Sequence, residues 1–176
     1  RWILERAARD YPMRLDADKL KEKSAFLYNS LRDIRNCGDA SKLLGLEGEA
    51  ASVYFSVFDQ LILQQKEDFS FRERSRRPPL DPVNAMLSFA YSLLAGMCGS
   101  ALEAVGLDPY VGFYHTDRPG RISLALDVME ELRGVMADRF VLTLINKKIM
   151  KKEHFIQKEN GAVLMGDSGR RHFLSA

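Results

Sequence analysis

Three kinds of side chain in this sequence could act together chemically: an imidazole, several carboxylates and a run of guanidinium groups. The imidazole is His115, in the turn-rich stretch VGFYHTDRPG, just before a Pro119-Gly120 turn. A helix is expected to begin near Ser123 and to carry Asp127, Glu130 and Glu131. Residues three or four positions apart on a helix share one side of it, so a loop imidazole and one or two helical carboxylates can converge on a point. Imidazole nitrogen with carboxylate oxygen suits Mg²⁺ or Mn²⁺ and leaves room for water or phosphate. The same helix also fits an ordinary solvated face. Leu124, Val128, Leu132, Val135 and Met136 form an apolar stripe with the acids opposite.

A further acid comes from upstream. The spacing predicts a helix from about Asp39 to Gln65, with Leu43, Ala50, Ala51, Tyr54, Val57, Phe58 and Leu61 on one stripe. At about 100° per residue Glu47 falls inside that stripe, whereas Glu49 points away from it. A carboxylate buried there without a partner has its pKa pushed up. Glu47 is therefore expected to protonate, to pair with a cation, or to bind a metal; a buried Glu–Arg pair is the plain structural alternative. Gly48, Ala50 and Ala51 leave space beside it.

The guanidinium groups lie in KEDFSFRERSRRPPL, residues 66–80, which Pro78 and Pro79 keep out of a helix. Arg72, Arg74, Arg76 and Arg77 near Phe69 and Phe71 suit a phosphate backbone. Glu67, Asp68 and Glu73 also allow a simple solvated loop of mixed charge. A divalent ion held by Glu47, His115 and an acid from the 127–130 turn, flanked by arginines, points to phosphodiester chemistry on DNA or RNA.

The elements that must position these groups read as follows. Residues 1–12 look like the end of an upstream helix or a linker, and Asp16 caps a helix to about Ile34. Asp81-Pro82 opens a long helix to Val105, closed by Gly106. It is apolar almost all round and is expected to be central and buried. A polar line of Asn84, Ser88, Tyr91 and Ser92 crosses it. That line fits hydrogen bonding between helices, or groups that orient His115 or touch a DNA strand. The helix from Ser123 is expected to kink near Gly134 and run toward Met150, with Lys147, Lys148, Lys151 and Lys152 at its basic end. HFIQKENGAVLM, residues 154–165, reads as a β-hairpin with an Asn160-Gly161 turn, and GDSGRRHFLSA as a loop leading into a segment outside the chain.

The expected fold class is all-α: one multi-helix domain over residues 1–176 with a short hairpin near its end. A length of 176 residues suits one such domain, with 46% hydrophobic and 28% charged residues. A net charge of +2 gives no global field for a polyanion. Cys37 and Cys98 have neither zinc-site nor CxxC spacing, which fits a reducing cytoplasm. No uninterrupted apolar run reaches about 18 residues, no signal peptide is evident, and no P-loop, GxGxxG or GxSxG motif occurs. The chain opens at Arg1, and a fragment or part of a longer polypeptide is expected.

LLGLEGEAASVYF, RRPPLDPVNAMLSFAYSLL, GLDPYVGFYHTDRPGRISLALDVMEELR and the hairpin segment, in that order, resemble the helical domain of the CRISPR-associated spacer integrase, the endonuclease-like protein of the adaptation step, in a compact RPGR-type variant. The resemblance covers most of residues 15–174. It implies that the glutamate of the EG pair, Glu47, the histidine before the RPGR-like turn, His115, and the later acid, Glu130, hold Mn²⁺ or Mg²⁺, with Asp127 as the neighbouring or alternative ligand. It places Asn84, Ser88 and Tyr91 beside the site, and makes Arg72, Arg74, Arg76, Arg77, Arg118, Arg121, Lys147 and Lys148 candidates for DNA contact. The activity implied is insertion of new spacer DNA into a CRISPR array by 3′-hydroxyl transesterification, without ATP. A non-catalytic helical adaptor that binds DNA or protein is the rival. The implied partners are double-stranded prespacer and repeat DNA, a second copy in the full-length protein, and a small ferredoxin-like companion bridging two dimers. An iron–sulfur CRISPR exonuclease, separate or fused, is a further partner, and the compartment is the prokaryotic cytoplasm. Against the family pattern, an amino-terminal β-rich dimerisation domain and the full length of the carboxy-terminal tail are expected to lie outside residues 1–176.

Overall fold

Asp81 supplies the start signal for the longest helix of the fold among the described residues. Its carboxylate accepts the backbone N–H of Asn84 at 2.7 Å, and Pro82 takes the first helical position, where no N–H is needed. In the computed structural model, which describes residues 1–116 and 118–176, this helix, α4, runs Pro82–Ala104. It ends at Val105, with Gly106 at φ +79°. Val83, Met86 and Leu87 are fully buried along it. By length and mean hydropathy, 1.5 over its most apolar window, α4 would suffice to cross a membrane, which the run-length argument overlooked. Half of that window is buried inside this fold, so core packing accounts for its composition.

The described residues form six other α-helices: α1 (Trp2–Asp10), α2 (Ala17–Arg35), α3 (Ala40–Phe55), α5 (Ser123–Leu132), α6 (Arg139–Asn146) and α7 (Asp167–Leu174). Strands β1 (Phe155–Gln157) and β2 (Val163–Met165) pair antiparallel, with Ile156 opposite Leu164. Gly161 turns the hairpin at φ +79°. α4 packs against α5, α6 and β2. The architecture is helical with one small hairpin, as expected.

Four local expectations need correction. Of the two expectations for residues 1–12, the helix stands and the linker does not: α1 buries Leu4 and Ala8 against α2, and Ser24 of α2 donates to Glu5 at 3.0 Å. The helix through Glu47 stops at Phe55, ten residues early, and a 3-10 turn, Phe58–Leu61, follows. The reason is tertiary. Asn146 accepts from Leu63 N–H at 2.7 Å and donates to the Leu61 carbonyl at 2.9 Å, and Gln65 donates to the Ile145 and Met150 carbonyls. These partners satisfy the backbone in a non-helical path. The closing residues are a helix rather than a loop. Phe173 is buried, with edge-on contacts to Phe89 and Phe140, and Gly169 lets the backbone meet His154, where a Cβ would lie 2.5 Å from the His154 carbonyl oxygen.

The fourth correction concerns α5. The expected apolar stripe is the more exposed side: Val128, Leu132, Val135 and Met136 face outward, while Ala125, Asp127 and Met129 are buried. The helix is rotated so that Asp127 turns toward the loop before it and Glu130 is half-buried, while Glu131 stays exposed. The expected kink is a π-helical turn, Arg133–Asp138, which carries the chain from α5 into α6. π-turns inside helices re-aim side chains and occur often at functional sites.

Candidate metal and nucleic-acid site

The loop 111–116 closes over α5 through a single carboxylate. The backbone N–H groups of Phe113, Tyr114 and His115 all donate to Asp127, at 2.8, 3.0 and 2.9 Å. The ring Nδ1 of His115 lies 2.6 Å from the same carboxylate. Gly112 makes this closure possible: a Cβ there would sit 2.7 Å from the Ser123 Cβ and 2.8 Å from the His115 carbonyl. The Asp127 side chain is 0% exposed. Burial alone would raise its pKa, but the amides of Tyr114, His115 and Phe113 and the His115 ring outweigh burial and hold it below the ordinary carboxylate value.

An ionised carboxylate only accepts, so Nδ1 of His115 is the donor, and in the neutral ring Nε2 presents the lone pair. Both oxygens of Asp127 are thus occupied, Oδ1 by His115 N–H and Nδ1 and Oδ2 by Phe113 and Tyr114. Asp127 orients; Nε2 of His115 is what the corner offers.

Tyr114 joins this corner to α3. Its hydroxyl donates to Oε2 of Glu47 at 2.8 Å. Burial first, then the hydrogen bond and the charges of Glu47, Glu130 and Asp127, push the phenol up to about 12. Glu47 itself is half-buried, not sunk in a dry stripe. Leu43, Ala50, Ala51 and Tyr54 are only partly covered, and full burial begins at Val57 and Phe58, beyond the helix. The premise that burial strands Glu47 in the core is therefore corrected: its stripe is only partly covered.

Glu130 lies one turn beyond Asp127 and pairs with Arg133, Nη2 to Oε2 at 2.7 Å. Burial raises its pKa; Arg133 opposes this, the charge of Glu47 adds to it, and His115 and Arg76 oppose it. Glu47, His115 and Glu130 therefore share one electrostatic neighbourhood, reached by Arg76 of the arginine loop. With Glu47 tied to Tyr114 and Glu130 to Arg133, no three His, Cys, Asp or Glu side chains among the described residues converge closely enough to grip an ion.

The polar line of α4 serves other partners than His115. Asn84, fully buried, accepts from Arg74 at 2.6 Å and from Ser75 N–H at 3.0 Å, and Ser88 accepts from Arg74 at 3.1 Å. Arg74 is therefore held inside the fold, its Nε buried with no partner among the described residues, rather than extended toward a nucleic acid. Tyr91 donates to Asp138 at 2.5 Å. The guanidinium groups of Arg74 and Arg133 lie 5.3 and 5.2 Å from its ring centre. Through Arg133, this cluster touches Glu130 instead of the imidazole. The Tyr54 hydroxyl is buried beside Asp138, outside hydrogen-bonding geometry. Burial raises the pKa of Asp138, against the hydrogen bond from Tyr91 and the charges of Arg133 and Arg74.

Arg72, Arg76, Arg77 and Arg118 are exposed, and Arg121 is half-buried. Lys147 and Lys148 are exposed beyond the end of α6. Sequence reasoning missed Tyr114, Arg133 and Asp138. Arg133 carried a legible signal, three positions after Glu130; Tyr114 and Asp138 carried none that spacing reveals.

The family model for CRISPR associated protein Cas1 matches residues 1–176. The chain is 53% identical over 180 residues to CRISPR-associated endonuclease Cas1 2 of Rhodospirillum rubrum, covering 100% of this chain and 52% of that protein. It thus spans about half the length of that relative. Among solved structures, a casposase bound to its integration product is 31% identical with a TM-score of 0.76, covering 98% of this chain and 49% of that one. Cas1 in a partial Cas6-RT-Cas1–Cas2 complex gives 26% and 0.82, covering 98% and 52%. A family match over residues 1–176, together with 43% identity over 176 residues to CRISPR-associated endonuclease Cas1 of Leptospira interrogans, covering 100% of this chain and 69% of that protein, shows that the chain belongs to the Cas1 family.

Proposed function

We propose that this chain is the helical catalytic part of a CRISPR spacer integrase, a metal-dependent enzyme that joins DNA strands by transesterification. The observation that carries the reading is the clamp of three amides and one ring on Asp127, which fixes His115 through Nδ1 and leaves Nε2 as its ligand atom, while the adjacent Tyr114 hydroxyl holds Glu47. The donor chemistry fits Mn²⁺ or Mg²⁺: two carboxylates and one imidazole nitrogen. Glu47, His115 and Glu130 would hold the ion. When bound, it supplies Lewis-acid polarisation of a phosphoryl oxygen and stabilises charge on the attacking and leaving oxygens.

The chain's own residues do the positioning. Asp127 fixes the ring and tautomer of His115, as a carboxylate does behind a metal-binding histidine. Tyr114 orients Glu47. The exposed Arg76, Arg77 and Arg118, with Arg72, supply cations for a DNA backbone, and Arg121, Lys147 and Lys148 extend that surface. In the reaction a DNA 3′-hydroxyl forms a bond to phosphorus and gives up its proton, while the bond from phosphorus to the leaving 3′-oxygen breaks. One phosphodiester replaces another, so no ATP is consumed. The proposed partners are double-stranded DNA, a second copy of the full-length protein and a small companion of the Cas2 kind. The reading is tested by Glu47→Ala, His115→Ala and Glu130→Ala. Each is expected to abolish Mn²⁺-dependent strand joining while leaving the helical circular-dichroism signal in place; activity in all three variants would end it.

One observation favours the rival, a non-catalytic adaptor: both acids already have partners, Tyr114 and Arg133. The adaptor predicts that DNA binding survives chelation of the metal and depends on Arg76 and Arg77 more than on Glu47.

A further inference from the structure

Glu47 and Glu130 are held by groups of different charge. Glu47 takes a neutral donor, the Tyr114 hydroxyl, at 2.8 Å. Glu130 takes a permanent cation, Arg133, at 2.7 Å, and the two side chains are only 27% and 19% exposed. Arg133 is also fixed from behind by the ring of Tyr91, 5.2 Å away, and its backbone begins the π-turn. A hydroxyl on one carboxylate oxygen leaves the other free and keeps the group aimed, whereas a guanidinium neutralises the charge that a metal would use.

Resting on the metal-site reading above, we propose that Arg133 is a resident counter-cation of this site. It occupies Glu130 when no ion is bound, keeps Glu47 and Glu130 from repelling each other, and must yield the carboxylate when a divalent cation enters. Its positive charge then lies beside the ion at a mostly buried carboxylate, where like charges repel strongly. Arg133 therefore stabilises the metal-free fold and weakens metal affinity, while Tyr114 strengthens it. The two residues act on one site with opposite sign.

The experiment is a Mn²⁺ titration of the full chain followed by the electron paramagnetic resonance signal of free Mn²⁺, with thermal unfolding measured with and without the ion. Arg133→Gln is expected to bind Mn²⁺ about threefold tighter or better, to melt below the wild type without metal, and to gain more from added Mn²⁺. Arg133→Lys, which keeps the charge, stays near the wild type, and Tyr114→Phe binds more weakly. Equal or weaker binding by Arg133→Gln, or a shift of Arg133→Gln and Tyr114→Phe in the same direction, overturns the proposal. If Arg133→Gln is unfolded without metal, refolding on addition of Mn²⁺ supports it and failure to refold overturns it. Absence of saturable Mn²⁺ binding by the wild type, or binding unchanged in Glu47→Ala, instead defeats the underlying metal-site reading.

Discussion

Two buried aspartates on consecutive helical segments meet burial in different ways. Asp127 sits in a corner where three successive amides and a ring point at it, and its pKa falls. Asp138, on the π-turn, receives the Tyr91 hydroxyl with two guanidinium groups nearby, and its pKa rises. Both are hidden from water. The difference lies in preorganisation: the amides of a folded loop cannot turn away from a carboxylate, so the charged form is solvated by the backbone itself. A single short hydroxyl contact does not replace water so completely. The first corner holds a charge in order to aim an imidazole; the second holds a carboxyl that packs a tyrosine between two arginines.

The sharpest way to break that comparison is Asp127→Ala. It orphans three amides and frees the His115 ring, with an expected loss of about 3 kcal/mol in urea unfolding. Mn²⁺ affinity should fall by roughly 10- to 100-fold, as when the group behind a metal-binding histidine is removed. The pH dependence has a definite sign. A depressed carboxyl contributes stability above the ordinary value, about 3.9, and that contribution is lost as pH falls through the folded value. Asp127→Asn should therefore flatten the acid limb of the stability curve below about pH 4.

Asp138 should behave oppositely and more weakly. Its folded pKa is raised, so the folded state binds more protons between about 3.9 and that raised value, and stability declines as pH rises through this window. Asp138→Asn, which keeps an acceptor for Tyr91, should remove the decline and be more stable at pH 7 by at most about 1 kcal/mol. Thermal unfolding from pH 4 to 8 checks this, and a steeper decline in the variant would refute it. The smallest effect is expected for Ser88→Ala, which removes one of the acceptors of Arg74 and should cost about 0.5–1 kcal/mol in urea unfolding.

Much of the fold was legible because its signals are local. Asp16, Asp39 and Asp81 each cap a helix through the N–H two or three residues on, and Gly106 and Gly161 take the left-handed conformation that ends a helix and turns a hairpin. The failures were non-local. The stop at Phe55 depends on Asn146 and Gln65, which reach across to distant backbone. α7 depends on a seat for Phe173 between Phe89 and Phe140. The inverted face of α5 depends on a loop whose amides needed a carboxylate, a demand that outweighs a stripe of four or five apolar residues.

The sequence alone determined that His115, Glu47 and the acids of the 127–130 turn were the residues to watch, because their types are scarce and their spacing on helices is fixed by a constant rise and turn. It also determined the helical class and the long central helix. Tertiary structure alone decided what each group does. It gave Asp127 to the loop and left His115 Nε2 without a bond to that carboxylate, set Glu47 against Tyr114, and placed Arg133 on Glu130. It also drew Arg74 inward, away from the surface that its neighbours share. A one-dimensional pattern reports which face of an element a side chain occupies; which partner waits there depends on elements that pack from elsewhere in the chain.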